Sequence, residues 1–218
     1  MHACYSETVD AMKINSARNT IPPEILADRK LARVFKKIGD IKRRPKTPVF
    51  QSLVRAIIYQ QISGKAADSI MKKFVAHFRG TFPTPITLSK TRVAHLRTAG
   101  ISNQKASYLK DLSNKFVEGT IDPLALKKMT NEEIITHLTQ VKGIGVWTVH
   151  MFLIFTLRRP DVLPTGDLGI KKGFQKVYGI KKLPSTQIME RLARPWRMHA
   201  SLASLYLWRA NDLTESDW

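Results

Sequence analysis

Lys142-Gly143-Ile144-Gly145 lies between two apolar runs of helical spacing, and the chemistry such a segment could do is to hold a phosphate. Without side chains, both glycines can take positive φ and let a phosphate approach the backbone. The amides opening the next helix at Val146 supply donors at a positive dipole end, and Lys142 adds a charge beside them. Two nearby glycines also recur in ordinary turns that close one helix and start the next, so the pair alone leaves both readings open. Asp167 is the second residue with chemical capacity. It precedes Leu168-Gly169-Ile170 at a helix start, where Asp is a preferred N-cap, and spacing alone favours that capping role. Cys4 is the single cysteine of the chain. One thiol forms no internal disulfide, thiolate zinc cluster or four-cysteine iron–sulfur site, which points to a reducing compartment and an inert thiol.

The elements that must position these residues read as helices. From Phe50 the apolar residues fall at Phe50, Leu53, Val54, Ile57, Ile58 and Ile62, the spacing of one buried helical face, with Pro48 at its start. A second run from Ala66 to Phe78 closes at Gly80 and the Thr-Phe-Pro-Thr-Pro loop, and the two helices meet at Ser63-Gly64. Val93–Ala99 ends at Gly100, and Ile101 to Phe116 continues the period until Gly119, before a turn at Asp122-Pro123. Thr130 with Glu133 is a capping-box pattern opening a helix that stops at Lys142-Gly143. An uncharged helix, Val146 to Leu157, follows after only Gly143-Ile144-Gly145, so the two are joined by a tight hairpin. His150 on that helix reads as core. Helices over Leu168–Val177, Ser185–Leu192 and Trp196–Ala210 complete an all-α fold without alternating strand patterns.

Composition limits what these helices serve. The 218 residues carry 36 Lys and Arg against 17 Asp and Glu, a formal net charge of +19, with 43% apolar residues. That is an ordinary globular composition, which excludes a disordered basic tail, and a length of one domain or two small lobes. Charge this far from zero opposes compaction and fits a polyanionic partner, nucleic acid first and an anionic membrane surface second. The stretch Lys36 to Lys46 is the densest basic run and reads as solvated surface. The N-terminal MHACYSETVDAMKI lacks the apolar run of a signal peptide. The longest uncharged stretch, Gly143 to Leu157, falls short of the roughly 18–20 residues of a membrane span. A soluble intracellular chain is expected, nuclear in a eukaryotic source.

The chain resembles the helix-hairpin-helix DNA glycosylases, and within them the alkylpurine (3-methyladenine) branch. The residues that carry the resemblance are Leu-Thr-Gln-Val-Lys-Gly-Ile-Gly-Val-Trp-Thr-Val at 138–149, Leu-Pro-Thr-Gly-Asp-Leu-Gly-Ile-Lys-Lys-Gly-Phe at 163–174, Gln-Gln-Ile-Ser-Gly-Lys-Ala-Ala at 60–67 and Pro-Trp-Arg at 195–197. The resemblance spans Phe50 to Arg209 and implies two helical lobes with duplex DNA held across the cleft between them. One lobe would be 49–161 with the hairpin, the other 1–48 joined to 162–218. It implies that Asp167 is the catalytic carboxylate. Cleaving an N-glycosidic bond builds positive charge on the sugar, which a carboxylate stabilises while it orients or deprotonates water. An N3- or N7-alkylated purine is already cationic and a good leaving group, so one carboxylate suffices.

Further roles follow from the same resemblance. Strand-cutting relatives place a nucleophilic Lys where this chain has Trp147, so a Schiff-base lyase loses its amine and a monofunctional hydrolase is expected. Trp147 is equally core or pocket wall; Trp196, at the family's pocket-tryptophan position, would stack on a flipped cationic base, with Met151 and Tyr59 as further lining. The turn after the Gln-Gln pair, Gln61, Ile62, Ser63 and Gly64, would plug the duplex gap. Lys142, Gly143, Gly145, Lys65, Lys171 and Lys172 would contact phosphates. The carbonyls of Thr139, Val141 and Ile144 would hold a monovalent cation, with no other cofactor. Ser63 is small for a plug, Met151 stands where an aromatic could line the pocket, and Gly166 adjoins Asp167. Two hypotheses therefore stand: a monomeric glycosylase releasing 3-methyladenine-type bases from duplex DNA, or a catalytically weak homologue binding abasic or distorted DNA.

Overall fold

The computed structural model describes residues 21–42 and 45–214. Cys4, the N-terminal MHACYSETVDAMKI, and Arg43 and Arg44 of the basic run lie outside the described residues. Every regular element among the described residues is helical. In chain order these are α1 (Pro23–Ala27), α2 (Arg29–Ile38), α3 (Val49–Tyr59), α4 (Gly64–His77), α5 (Pro85–Lys90), α6 (Val93–Thr98), α7 (Asn103–Val117), α8 (Pro123–Lys128), α9 (Asn131–Leu138), α10 (Val146–Phe152), α11 (Leu168–Tyr178), α12 (Thr186–Ala193) and α13 (Ala200–Ala210). None of them is long and apolar enough to cross a membrane.

The chain divides into two compact units, Lys46–Leu157 and a second that joins the described residues up to Pro45 with those from Arg158 onward. In the first, α3 starts after Pro48 and buries Phe50, Leu53, Val54, Ile57 and Ile58. Ser63 caps α4. Both bonds of the Thr130–Glu133 capping box are made at the start of α9. The core gathers Phe74 with Phe78 and Phe82, and Phe50 edge-on to Phe116. Two short helices were not expected: α5 follows the Thr-Phe-Pro-Thr-Pro loop, and α8 starts at the Asp122-Pro123 turn, with Asp122 accepting from the Leu124 and Ala125 amides. Elements of six residues offer fewer than two turns of periodicity to read. The uncharged helix is also not uniform: seven α-helical residues pass into a π-helical turn, Leu153–Leu157. A hydrogen bond between Ser52 and Thr156 ties that turn to α3.

In the second unit, α13 is the central rod. Ala200, Ala203, Leu207 and Ala210 are fully buried, and α11 crosses it so closely that a Cβ at Gly173 would run into the Leu207 carbonyl. Helices α1 and α2 were missed because charged residues dilute their apolar pattern, yet α2 buries Leu31, Ala32, Val34 and Phe35. Phe35 stacks on Tyr206 at 3.5 Å between ring centroids. Asp28 knits the unit together: one carboxylate oxygen caps α2, and the other accepts from the Tyr178 hydroxyl at 2.5 Å and the Trp196 indole at 3.2 Å. The expected helix Trp196–Ala210 is broken. Arg194–His199 is a 3-10 turn with Trp196 at φ −115°, ψ 25°, and α13 begins only at Ala200.

Candidate active site and nucleic-acid interface

Asp167 does cap a helix. Its Oδ1 accepts from the Ile170 amide at 2.8 Å, so the capping role is real. The same oxygen accepts from the indole Nε1 of Trp208, also at 2.8 Å, and only 6% of the residue is exposed. The carboxylate is therefore held by a backbone turn on one side and by α13 on the other, a fixation beyond what capping requires. Gly169 makes the second bond possible. A Cβ there would stand 2.8 Å from Trp208 Cδ1 and 3.0 Å from Asp167 Oδ1. Trp208 escaped the sequence reading, since 41 residues separate it from Asp167.

Trp196 takes a different place from the pocket wall that the resemblance implied. It is fully buried, with its indole N–H on Asp28 and its ring 6.0 Å from Phe174, so it presents no face on which a base could stack. The tryptophan beside the carboxylate is Trp208. Lys171 and Lys172, the fourth and fifth residues of α11, are half-buried and exposed respectively.

The first unit carries the hairpin. Gly143 takes φ +79°, whereas Gly145 is extended at φ −97°, so the expectation that both glycines use positive φ holds at the first only. A side chain at Gly143 would enter the ring of Tyr108. Gly145 is the N-cap of α10 and offers no side-chain cap. Ile144 is buried between the glycines, and its amide donates to the Val141 carbonyl at 3.0 Å. Thr139 is the C-cap of α9. Lys142 is exposed, and its amide donates to Asp111 Oδ2 at 2.9 Å.

The turn between α3 and α4 belongs to the same unit. Gln61 is exposed and takes φ +57°, a left-handed backbone uncommon for a residue with a side chain. Ile62 is half-buried and Gly64 buried. Ser63 is exposed, but its hydroxyl accepts from the Ala66 amide at 3.3 Å as the cap of α4; Lys65 follows, exposed. Tyr59 is occupied as a brace. Its hydroxyl accepts from Arg55 at 2.7 Å and donates to Asp68, and burial with the Asp68 contact pushes its pKa up to about 12. On α10, Trp147 is half-buried, Met151 is 3% exposed, and burial holds the His150 pKa below its ordinary value. Among the described residues, no group of three or more His, Cys, Asp or Glu side chains could hold a metal ion.

Known proteins resemble this chain in sequence and in fold. DNA-3-methyladenine glycosylase 1 of Schizosaccharomyces pombe is 32% identical, over 86% of this chain and 85% of that protein. A solved structure of the S. pombe 3-methyladenine DNA glycosylase in complex with abasic DNA superposes with a TM-score of 0.73 at 32% identity, covering 87% of this chain and 93% of that one. The DNA-3-methyladenine glycosidase of Bacillus halodurans gives a TM-score of 0.80, also at 32% identity, covering 88% and 90%. Residues 54–198 match the family described as HhH-GPD superfamily base excision DNA repair protein, and the chain belongs to that superfamily.

Proposed function

We propose that the protein is a monofunctional DNA glycosylase of base excision repair that hydrolyses the N-glycosidic bond of alkylated bases of the 3-methyladenine type. The observation that carries this reading is the double hold on Asp167, Ile170 amide and Trp208 indole on one oxygen, in a chain 32% identical to a 3-methyladenine glycosylase. Duplex DNA is held by its backbone on Gly143, Gly145 and Lys142 of the hairpin and on Lys65, Lys171 and Lys172. Gln61, Ile62, Ser63 and Gly64 face the gap left by the extruded nucleotide. Trp147, Met151 and Tyr59 line the approach of the flipped base. A monovalent cation on the carbonyls of Thr139, Val141 and Ile144 fits the turn, since the Val141 carbonyl keeps a second lone pair beyond the bond from Ile144. The protein acts as a monomer, in the nucleus if the source is eukaryotic.

In the reaction the C1′–N bond breaks and its electron pair leaves with the base. The Asp167 carboxylate stabilises the cationic sugar, and water adds to C1′ as its proton passes to the carboxylate and on to solvent. Because the alkylated purine is cationic while attached and departs neutral once it takes the bonding pair, no separate acid is needed to protonate it. Trp147 offers no amine to trap the sugar, so the strand stays uncut.

Asp167→Asn tests this reading, because Asn is an equally good N-cap and leaves the fold in place. Single-turnover base release from methylated duplex should fall by about 10²–10³-fold. Binding to a duplex with an abasic-site analogue should persist. A second reading, lesion binding with little catalysis, is favoured by Ser63, whose short side chain is spent on capping α4. Under it the wild type releases no base and still prefers the abasic duplex.

A further inference from the structure

Three side chains along one face of α7 touch both DNA-contacting segments of the first unit. Lys105 stands at the α3–α4 turn: its ammonium donates to the Ile58 and Gln60 carbonyls, each at 2.7 Å. Those carbonyls end α3, where the helix dipole is negative and a cation is well placed. Tyr108 lies under Gly143, and Asp111 accepts the Lys142 amide. Positions i, i+3 and i+6 share a helix face over about 9 Å of axis. The α7 helix is itself pinned at its start, where Ser102 Oγ accepts the Lys105 amide at 3.2 Å, and Gln104 donates to the Tyr108 hydroxyl at 2.7 Å. A direct strut closes the arrangement: Gln60 Nε2 donates to the Gly143 carbonyl at 2.7 Å. That carbonyl belongs to the one hairpin residue with positive φ, and Gln60 adjoins the one turn residue, Gln61, with positive φ.

We propose that α7 is a ruler, with Lys105 and Gln60 as positioning residues that hold the turn Gln61–Ser63 at a fixed offset from the phosphate-binding hairpin. Gripping the backbone then aims the turn at the duplex, and lesion extrusion is coupled to backbone contact through these bonds. The left-handed Gln61 is a strained backbone for a residue with a side chain, and such a conformation persists only where its surroundings over-determine it; the Lys105 clamp and the Gln60 strut supply that. The inference rests on the proposed glycosylase reading for what the turn and hairpin do.

The test compares wild type with Gln60→Ala, Lys105→Met and Lys105→Arg. Three quantities are measured: base release from methylated duplex, affinity for an undamaged duplex, and fluorescence of a 2-aminopurine opposite an abasic-site analogue as a report on unstacking. Gln60→Ala and Lys105→Met should lower base release and the 2-aminopurine response about tenfold, equivalent to ~1.4 kcal/mol. Undamaged-duplex affinity and Tm should stay at wild-type values for Gln60→Ala, and Lys105→Arg should restore most of the response because a guanidinium can serve both carbonyls. Wild-type release and unstacking in both variants would overturn the ruler. So would loss of undamaged-duplex affinity in proportion to release, which would make these residues part of the phosphate grip. A wild type that neither releases base nor prefers the abasic duplex would instead sink the glycosylase reading. A wild type that only binds leaves the 2-aminopurine comparison to decide the ruler alone.

Discussion

At the scale of single residues, the two tryptophans of the C-terminal segment separate support from chemistry. Trp196 is fully buried against Asp28, whereas Trp208 reaches Asp167 Oδ1. Trp208→Phe removes one donor from the proposed catalytic carboxylate and keeps most of the packing. The rate of base release should fall by about tenfold, ~1.4 kcal/mol, with abasic-duplex affinity unchanged, as single-turnover kinetics beside fluorescence anisotropy would show. An unchanged rate would reduce the indole contact to packing. Which tryptophan faces the carboxylate was not legible in the sequence, for a specific physical reason. The chain passes from a 3-10 turn through the non-helical Trp196 into α13, which resets the helical phase, so no period carries from residue 196 to residue 208. Asp167 was legible because a capping residue is a local signal; its indole partner is a long-range contact that no local pattern encodes.

At the scale of elements, the hairpin glycines look alike in sequence and differ in structure. Gly143 combines positive φ with a Tyr108 ring where its Cβ would stand, while Gly145 is extended with nothing within 4 Å of its added Cβ. Gly143→Ala should therefore destabilise the protein by about 1–3 kcal/mol through strain and displacement of the ring. It should also weaken duplex binding. Gly145→Ala should stay within about 0.5 kcal/mol of wild type in denaturant unfolding. Equal effects from the two substitutions would mean that the ring does not back the hairpin. Long amphipathic elements such as α3 and α7 were readable because several turns of buried residues fix the period. The short α5 and α8, and the change to π geometry after Phe152, were not. The links from α7 to the hairpin and turn join backbone carbonyls and amides to side chains 31 to 47 residues away. Backbone acceptors leave no residue-type signal to find.

At the scale of the whole molecule, a charge of +19 makes salt the natural probe of which lysines meet DNA. Each phosphate neutralised releases condensed counterions, so the logarithm of the association constant falls against the logarithm of salt with a slope of about −0.9 per contact. Net charge alone does not set that slope; only ammonium and guanidinium groups that replace counterions do. Lys142, beside the hairpin, is exposed and proposed as a phosphate contact, whereas the Lys105 ammonium already sits on two carbonyls of α3. In titrations of undamaged duplex across a range of salt, Lys142→Ala should make the slope shallower by about one, and Lys65→Ala likewise. Lys105→Met removes the same formal charge and should leave the slope where it was. If all three variants shifted it equally, binding would follow diffuse charge and not a defined set of phosphate contacts, and the hairpin would lose its claim to set the register of the protein on DNA.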